Sequence, residues 1–219
     1  WACHPFVSSK QEKGHCTAMR IAVLGGSFDP IHAGHLQMAK QVLQRKLADE
    51  VWFMPSGVSY FKKHDNVVSG KHRLKMTKIA IEGYPGFKCS DMEVNRKGNT
   101  YTADTLKLLH EMYPENKFYF IMGADSLFNL SKWQMPDVIA SLCTIATVIR
   151  EDVDVQSLKE QKRLLERTLQ ADIILVPFHK IDISSSDIRA KLSQGEEVKD
   201  MVPDAVLSYI LKHDLYREA

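Results

Sequence analysis

The chain has 219 residues, of which 44% are hydrophobic and 26% are charged, and its formal net charge is +2. This composition supports one substantial core and excludes a disordered or strongly basic protein, so nucleic acid is not expected as a partner. No apolar run approaches the ~20 residues that a membrane-spanning helix needs, so no membrane association is expected. Together with the lack of a secretory signal, these features predict a cytoplasmic protein.

The first 18 residues differ from the rest of the chain. They contain Cys3-His4 and His15-Cys16 but no apolar segment typical of a signal peptide. Paired zinc ligands are usually separated by about two to four residues, so these adjacent pairs leave zinc as the weaker alternative. We interpret residues 1–18 as a leader and residues 19–219 as one domain that starts at Met19.

Apolar runs and amphipathic segments alternate along this domain. The apolar runs predict buried strands at 20–25, 51–55, 87–94, 117–122, 143–149 and 172–177. Helices are predicted over 36–47, from an N-cap at Ser69 to Gly83, from a cap at Thr102 to Pro114, near 186–194, and from Pro203 to about 212. Continuous apolar strands separated by helices predict an α/β, doubly wound (Rossmann-like) fold, with a mostly parallel sheet and helices on both faces.

Polar or glycine-containing segments follow the C-terminal ends of several predicted strands. They are residues 25–35, 55–64, 123–126 and Arg150. Ligands of open parallel sheets bind outside the carboxyl ends of the strands, so the functional site is expected there.

The segment 25–35, GGSFDPIHAGH, is the most informative of these. Its two glycines permit a sharp turn and a close backbone approach to a ligand, and the following helix offers N–H groups and a dipole to an anion. His32 and His35 lie three residues apart, where both could donate to a phosphate under attack. A structural turn and a two-histidine zinc pair are the alternatives. The segment matches neither the dinucleotide-binding glycine fingerprint nor the Walker phosphate loop.

A second candidate anion site is ISSSDIR, residues 183–189. Its hydroxyls at a predicted helix start can cap the helix or bind phosphate oxygens, and Arg189 adds a planar fork of donors. A plain helix cap with a surface arginine is the alternative. Combined with the first segment, it predicts a second clamp on one polyphosphate.

These two segments resemble the His-x-Gly-His and Ile-Ser-Ser-Thr/Ser-x-Ile-Arg signatures of a nucleotidyltransferase superfamily. YTADTL at 101–106, FIMGADSL at 120–127 and Trp133 further resemble the bacterial nicotinate-nucleotide adenylyltransferases. The resemblance runs from Met19 to Tyr216 and implies that 19–219 is a single nucleotidyltransferase domain. It implies transfer of the adenylyl group of ATP to nicotinate mononucleotide, giving nicotinate adenine dinucleotide and pyrophosphate with Mg²⁺, in NAD biosynthesis.

The resemblance also implies which residues act on ATP. His32, His35 and Arg189 would be catalytic, because they would contact the phosphates and the charge that develops during transfer. Mg²⁺ would be bound by the ATP phosphates and not by protein side chains. The implied ATP-binding residues are Gly25, Gly26, Ser27, Phe28, His32, His35, Gly123, Asp125, Ile183, Ser185, Ser186 and Arg189.

The residues that the resemblance implies for nicotinate mononucleotide are Lys62, Lys63, Tyr101, Thr102, Trp133 and Arg150. Trp133 would stack on the pyridinium, Tyr101-Thr102 would face the carboxylate, and the basic residues would face the phosphate. A helix cap, a core tryptophan and a solvated loop are the alternatives for Thr102, Trp133 and the two lysines. After Arg150 the chain reads EDVDV where many relatives have Pro-Gly, which leaves the geometry of that loop open.

Two rival functions are weighed. One is transfer to phosphopantetheine, or of a cytidylyl group to a small alcohol phosphate; YTADTL and Trp133 disfavour both. The other is a non-catalytic nucleotide-binding protein, which would not need His32 and His35 at the reacting phosphate. The sequence does not specify an oligomeric state, so a homo-oligomer stays open.

Overall fold

The computed structural model describes residues 18–57, 67–149, 154–178 and 182–217. Of the predicted site residues, Lys62, Lys63 and Arg150 lie outside these ranges, and so does the beginning of the divergent segment after Arg150.

A six-stranded parallel sheet forms the centre of the domain. Its strands are β1 Arg20–Gly26, β2 Glu50–Pro55, β3 Phe87–Cys89, β4 Lys117–Gly123, β5 Thr144–Ile149 and β6 Ile173–Pro177. Their order across the sheet is β3-β2-β1-β4-β5-β6, which is the doubly wound order of dinucleotide-binding folds. The predicted fold class is therefore confirmed.

The helices cover both faces of this sheet. They are α1 Ala33–Gln44, α2 Gly70–Ile81, α3 Thr102–Met112, α4 Ala124–Asn129, α5 Pro136–Leu142, α6 Val155–Thr168, α7 Ser185–Ser193 and α8 Asp204–Lys212, with a 3₁₀ turn at Leu130–Lys132. None of the helices within the described ranges is long and apolar enough to cross a membrane.

Successive strand residues alternate between two separate cores. On β1, Ala22 and Leu24 belong to one core, whereas Ile21 and Val23 belong to the other. The first core is closed by α1, α2, α7 and α8, and the second by α3, α4, α5 and α6. Both faces are apolar because helices cover both, which explains the continuous apolar strands in the sequence.

Two of the predicted elements need correction. β3 ends at Cys89 and not at residue 94, because the backbone turns where Asn95 donates to the carbonyl of Asp91. Thr102 does not cap α3; Tyr101 holds the cap position with extended backbone, and Thr102 is the first helical residue. The helices α4, α5 and α6 were not predicted at all.

Candidate active site

The strand order reverses between β1 and β4, and this reversal creates a crevice at the carboxyl edge of the sheet. α1 follows β1 and packs on one face, whereas α4 follows β4 and packs on the other. Gly25 and Gly26 end β1, and Gly123 ends β4. The predicted glycines therefore lie on the two strands that border the crevice.

The side chain of Phe28 packs in the core against the turn that follows β1. Its side chain is 1% exposed, and its ring meets the ring of His35 edge-on at a centroid distance of 5.0 Å. A β-carbon on Gly26 would lie 3.2 Å from the Phe28 ring, so glycine lets the ring close over the backbone. With its side chain in the core, Phe28 could contact a ligand only through its backbone.

His32 and His35 form a close pair at the start of α1, with their ring planes tilted by 33°. Their ring centroids are 3.7 Å apart, and the backbone N–H of His32 donates to Nδ1 of His35 at 3.3 Å. Because Nδ1 of His35 accepts this bond, a neutral His35 ring carries its proton on Nε2 and can donate from there. The predicted pairing of the histidines on one face is thus present.

The donors at this helix start differ from the expectation. The N–H of Ala33 donates to the carbonyl of Met201, and the N–H groups of His35 and Leu36 both donate to the carbonyl of His32. The first turn of α1 therefore engages two of these N–H groups, and the segment before α8 engages that of Ala33. Anion binding at this position therefore depends more on side chains than the sequence suggested.

The second clamp contacts the first turn directly. Nη1 of Arg189 donates to the carbonyl of Asp29 at 2.7 Å, and Oγ of Ser185 donates to the carbonyl of Pro30 at 3.0 Å. The cap of α7 is Ser184, whose Oγ accepts from the N–H of Asp187. A plain helix cap therefore accounts for Ser184 but not for Ser185 or Arg189, which join the two predicted phosphate-binding segments.

The other predicted ATP-binding residues lie at the start of α7 and at the start of α4. Ile183 is half-buried and packs on the first core, whereas Ser186 is exposed. Gly123 is the cap residue of α4, and Asp125 lies in the first turn of that helix with an exposed side chain.

Phe120 on β4 connects Trp133 with residues 25–35. We call these residues the phosphate turn, because they are the predicted phosphate-binding segment. A β-carbon on Gly25 would lie 3.4 Å from Cζ of Phe120, and the rings of Phe120 and Trp133 meet edge-on at 6.1 Å. Trp133 is half-buried and follows the 3₁₀ turn after α4. The structure thus brings Trp133 to the same crevice, with part of its indole accessible.

A buried polar cluster holds the start of α3, where Tyr101 and Thr102 lie. Oγ1 of Thr105 donates to Oε1 of Glu93 at 2.7 Å, and Nη1 of Arg96 donates to Oγ1 of Thr105 at 3.4 Å. Burial raises the pKa of Glu93, while the bond from Thr105 opposes this change. These contacts attach the segment before α3 to the helix itself.

Arg73 was not predicted from the sequence to be a site residue, although its side chain holds several segments of the site together. It is 4% exposed, and its guanidinium donates to the carbonyls of Ser27 at 2.6 Å, Ser56 at 2.7 Å and Val68 at 3.0 Å. Burial lowers the pKa of Arg73. An arginine at helical spacing from buried Met76 and Ala80 was the available signal, because an arginine on an apolar helix face needs partners.

Comparison with known proteins identifies the family. The profile of the cytidylyltransferase-like family matches residues 23–191. A probable nicotinate-nucleotide adenylyltransferase of Lachnoclostridium phytofermentans is 36% identical over 197 residues, which cover 90% of this chain and 98% of that protein. One of Shewanella frigidimarina is 38% identical over 91% of this chain and 100% of its own length. The chain belongs to the nicotinate-nucleotide adenylyltransferases.

Solved structures agree with this family at the level of fold. The Plasmodium falciparum nicotinic acid mononucleotide adenylyltransferase complexed with NaAD gives a TM-score of 0.74 at 23% identity, covering 90% of this chain and 97% of that one. The same enzyme complexed with APC gives a TM-score of 0.72. The resemblance to the family and the parallel sheet inferred from the sequence are both confirmed.

Proposed function

We propose that this protein transfers the adenylyl group of ATP to nicotinate mononucleotide, giving nicotinate adenine dinucleotide and pyrophosphate in NAD biosynthesis. Family membership supports the choice of both substrates. The geometric observation that supports it is the contact between Arg189 and the carbonyl of Asp29 at 2.7 Å. This contact attaches the guanidinium to the segment that carries the paired histidines, so one triphosphate would meet all three side chains.

The chemistry needs no covalent intermediate on the protein. An oxygen of the acceptor phosphate attacks the α-phosphorus of ATP, the bond to the β-phosphate oxygen breaks, and pyrophosphate leaves with the electron pair. Nε2–H of His35 and the guanidinium of Arg189 are positioned to donate to oxygens that gain charge during this step. Catalysis then comes from alignment and charge stabilisation, which the rigid turn provides.

The acceptor side is proposed from the residues across the crevice. Trp133 stacks on the pyridinium, with its indole held edge-on by Phe120. Backbone N–H groups at Tyr101-Thr102 face the carboxylate, and Lys62, Lys63 and Arg150 attract the mononucleotide phosphate. Gly123 and Asp125 approach the adenosine ribose, since a carboxylate suits sugar hydroxyls.

ATP is proposed to enter as its magnesium complex. The imidazoles of His32 and His35 and the guanidinium of Arg189 would donate to the phosphate oxygens. In the described part of the chain, no group of three or more His, Cys, Asp or Glu side chains is placed to hold a metal ion. We propose that the ATP phosphates themselves hold the Mg²⁺. The proposed location is the cytoplasm, where ATP is available.

Pyrophosphate release with ATP and each acceptor in turn tests the proposal. The acceptors are nicotinate mononucleotide, nicotinamide mononucleotide, phosphopantetheine and, with CTP, glycerol phosphate. A buried N–H donor that faces the amide in place of the carboxylate is left without an acceptor, which costs about 1–3 kcal/mol of binding free energy. The value of kcat/KM should therefore be at least about tenfold higher for nicotinate mononucleotide than for nicotinamide mononucleotide. Equal use of the two mononucleotides, or release only with another acceptor, would overturn the assignment.

The variant His35→Ala tests the role of this histidine in the chemical step. Loss of one donor to the developing charge typically lowers kcat about 10²–10³-fold, whereas the affinity for ATP should change much less. Near-normal kcat in this variant would remove the histidine from the mechanism.

A further inference from the structure

Tyr216 reaches the phosphate turn from the C-terminal end of the domain. Its hydroxyl donates to Oδ1 of Asp29 at 2.7 Å, across 187 positions of sequence. Tyr216 lies in the turn after α8, and Leu215 beside it donates its N–H back to the carbonyl of Ile210. Both residues pack against the first core, so this turn is fixed to the body of the domain.

Asp29 contacts both Tyr216 and Arg189. While Oδ1 accepts from Tyr216, Oδ2 lies 3.8 Å from Nη1 of Arg189, and that same nitrogen donates to the Asp29 carbonyl. The Asp29 side chain is 4% exposed, and Arg73 is close enough to interact electrostatically with it. The hydrogen bond from the tyrosine hydroxyl therefore holds one oxygen of this buried carboxyl, while the other oxygen lies towards Arg189.

The backbone at both ends of the hydroxyl contact is unusual. Tyr216 has a φ of +66° and Phe28, next to Asp29, has a φ of +47°. Residues with a β-carbon rarely adopt this left-handed conformation, and it persists where surrounding contacts require it. Burial raises the pKa of the Tyr216 hydroxyl, and the nearby Asp29 carboxyl raises it further, so the hydroxyl remains a donor at physiological pH.

We propose that Tyr216 is a positioning residue of the ATP site: its hydroxyl orients the Asp29 carboxyl, which holds the Arg189 guanidinium in place to bind the triphosphate. Nη1 of Arg189 donates to the carbonyl of Asp29, and its Nε and Nη2 groups would donate to the ligand. The inference rests on the proposed function only in naming ATP as the source of the triphosphate.

The test uses Tyr216→Phe, which removes the hydroxyl and keeps the ring. Calorimetry with tripolyphosphate should show an affinity about tenfold lower, the effect typical of losing one hydrogen bond to a charged group. In kinetics, KM for ATP should rise by a similar factor while KM for nicotinate mononucleotide stays within about twofold. A general loss of structure would instead raise both KM values, and that result would overturn the inference.

A double-mutant cycle with Arg189→Gln separates positioning from a local packing effect. If Tyr216 acts through Arg189, Tyr216→Phe should weaken tripolyphosphate binding by less than about twofold once Arg189 is replaced. Full additivity of the two substitutions would refute the coupling. Tripolyphosphate binding needs no turnover, so wild-type protein that binds it but shows no activity would refute the proposed function and leave the inference supported.

Tyr209→Phe is the matched control. Tyr209 lies on α8, and its hydroxyl is 2.9 Å from Nδ1 of His72, away from Asp29. This variant loses a tyrosine hydroxyl from the same C-terminal region and should bind tripolyphosphate as the wild type does. Equal weakening in both tyrosine variants would show that the effect is not specific to Tyr216.

Discussion

At the scale of single residues, Gly34 shows how one missing side chain sets the geometry of the paired imidazoles. A β-carbon on Gly34 would lie 3.0 Å from Cε1 and 3.1 Å from Nδ1 of His32. The His32 ring therefore rests on the backbone at position 34, and this contact holds it against His35. The glycine in HAGH is thus explained by the packing of the His32 side chain against the backbone of residue 34.

Gly34→Ala should separate stability from activity. Alanine in a helix is favoured over glycine by about 1 kcal/mol, so the free energy of unfolding should not fall by much. The His32 ring must move by a few tenths of an ångström, and because a misplacement of about 1 Å can cost a hundredfold, kcat should fall about tenfold. Urea unfolding and steady-state kinetics on the same preparation measure the two effects.

Gly70→Ala controls for the substitution itself. It lies at the first residue of α2, and its β-carbon would also meet a side-chain atom at 3.0 Å, Cγ1 of Val94. Its kcat should stay within about twofold of wild type, since its β-carbon would meet neither histidine ring and would lie at an ordinary contact distance of 3.5 Å from Nη2 of Arg73. A normal kcat in Gly34→Ala would show that the imidazoles tolerate the shift.

At the scale of elements, Arg73 on α2 connects the loops that follow two neighbouring strands. Its guanidinium bonds the carbonyl of Ser27 after β1 and that of Ser56 after β2. Gly57 then passes so close to the carbonyl of Glu93 that a β-carbon would lie 2.3 Å from it. The Arg73 side chain therefore joins the phosphate turn to the β2 loop, and the β2 loop packs closely on the segment before α3.

Arg73→Lys should destabilise the protein although the charge is retained. A single ammonium cannot reproduce the planar fork, so at least one buried carbonyl loses its donor, and the free energy of unfolding should fall by about 2–4 kcal/mol. Urea unfolding gives the value. Arg45→Lys is the comparison, because Arg45 donates to the carbonyl of Pro177 but is exposed; it should change stability by about 0.5 kcal/mol or less. Equal losses in the two variants would contradict the role given to Arg73.

The elements also show what the sequence could predict. The apolar strands and α1 were recognised because their hydrophobic pattern is strong. α6 was not, because only Leu158 and Leu165 of its fourteen residues are buried, and its other apolar residues, Val155 and Leu164, are exposed. At the site, the histidines and Arg189 formed local motifs, whereas Asp29 and Tyr216 meet across most of the chain and no local pattern reveals such a pair.

At the scale of the whole molecule, the two faces of the sheet supply the two halves of the site. The paired histidines and Arg189 belong to α1 and α7, which close the first core. Trp133 and the start of α3 pack on the second core. The triphosphate of ATP and the acceptor would therefore meet at the edge between these faces, each bound by elements anchored in a different core.

This arrangement predicts that acceptor affinity, acceptor choice and ATP binding can be altered separately. In the proposed complex, Trp133 would stack on the pyridinium, which the acid and amide mononucleotides share, whereas donors near Tyr101-Thr102 would meet the group that differs. Loss of a cation–π contact of about 1 kcal/mol or more should raise KM for both mononucleotides roughly five- to tenfold in Trp133→Ala. The ratio of their kcat/KM values and KM for ATP should stay nearly unchanged. Trp52→Phe is the control. Trp52 is 3% exposed and lies in the second core, so its substitution should affect stability without changing KM for ATP or for either mononucleotide. If the ratio collapsed in Trp133→Ala, the indole would be selecting the acceptor as well as binding it, and the division of roles between the 3₁₀ turn and α3 would be wrong.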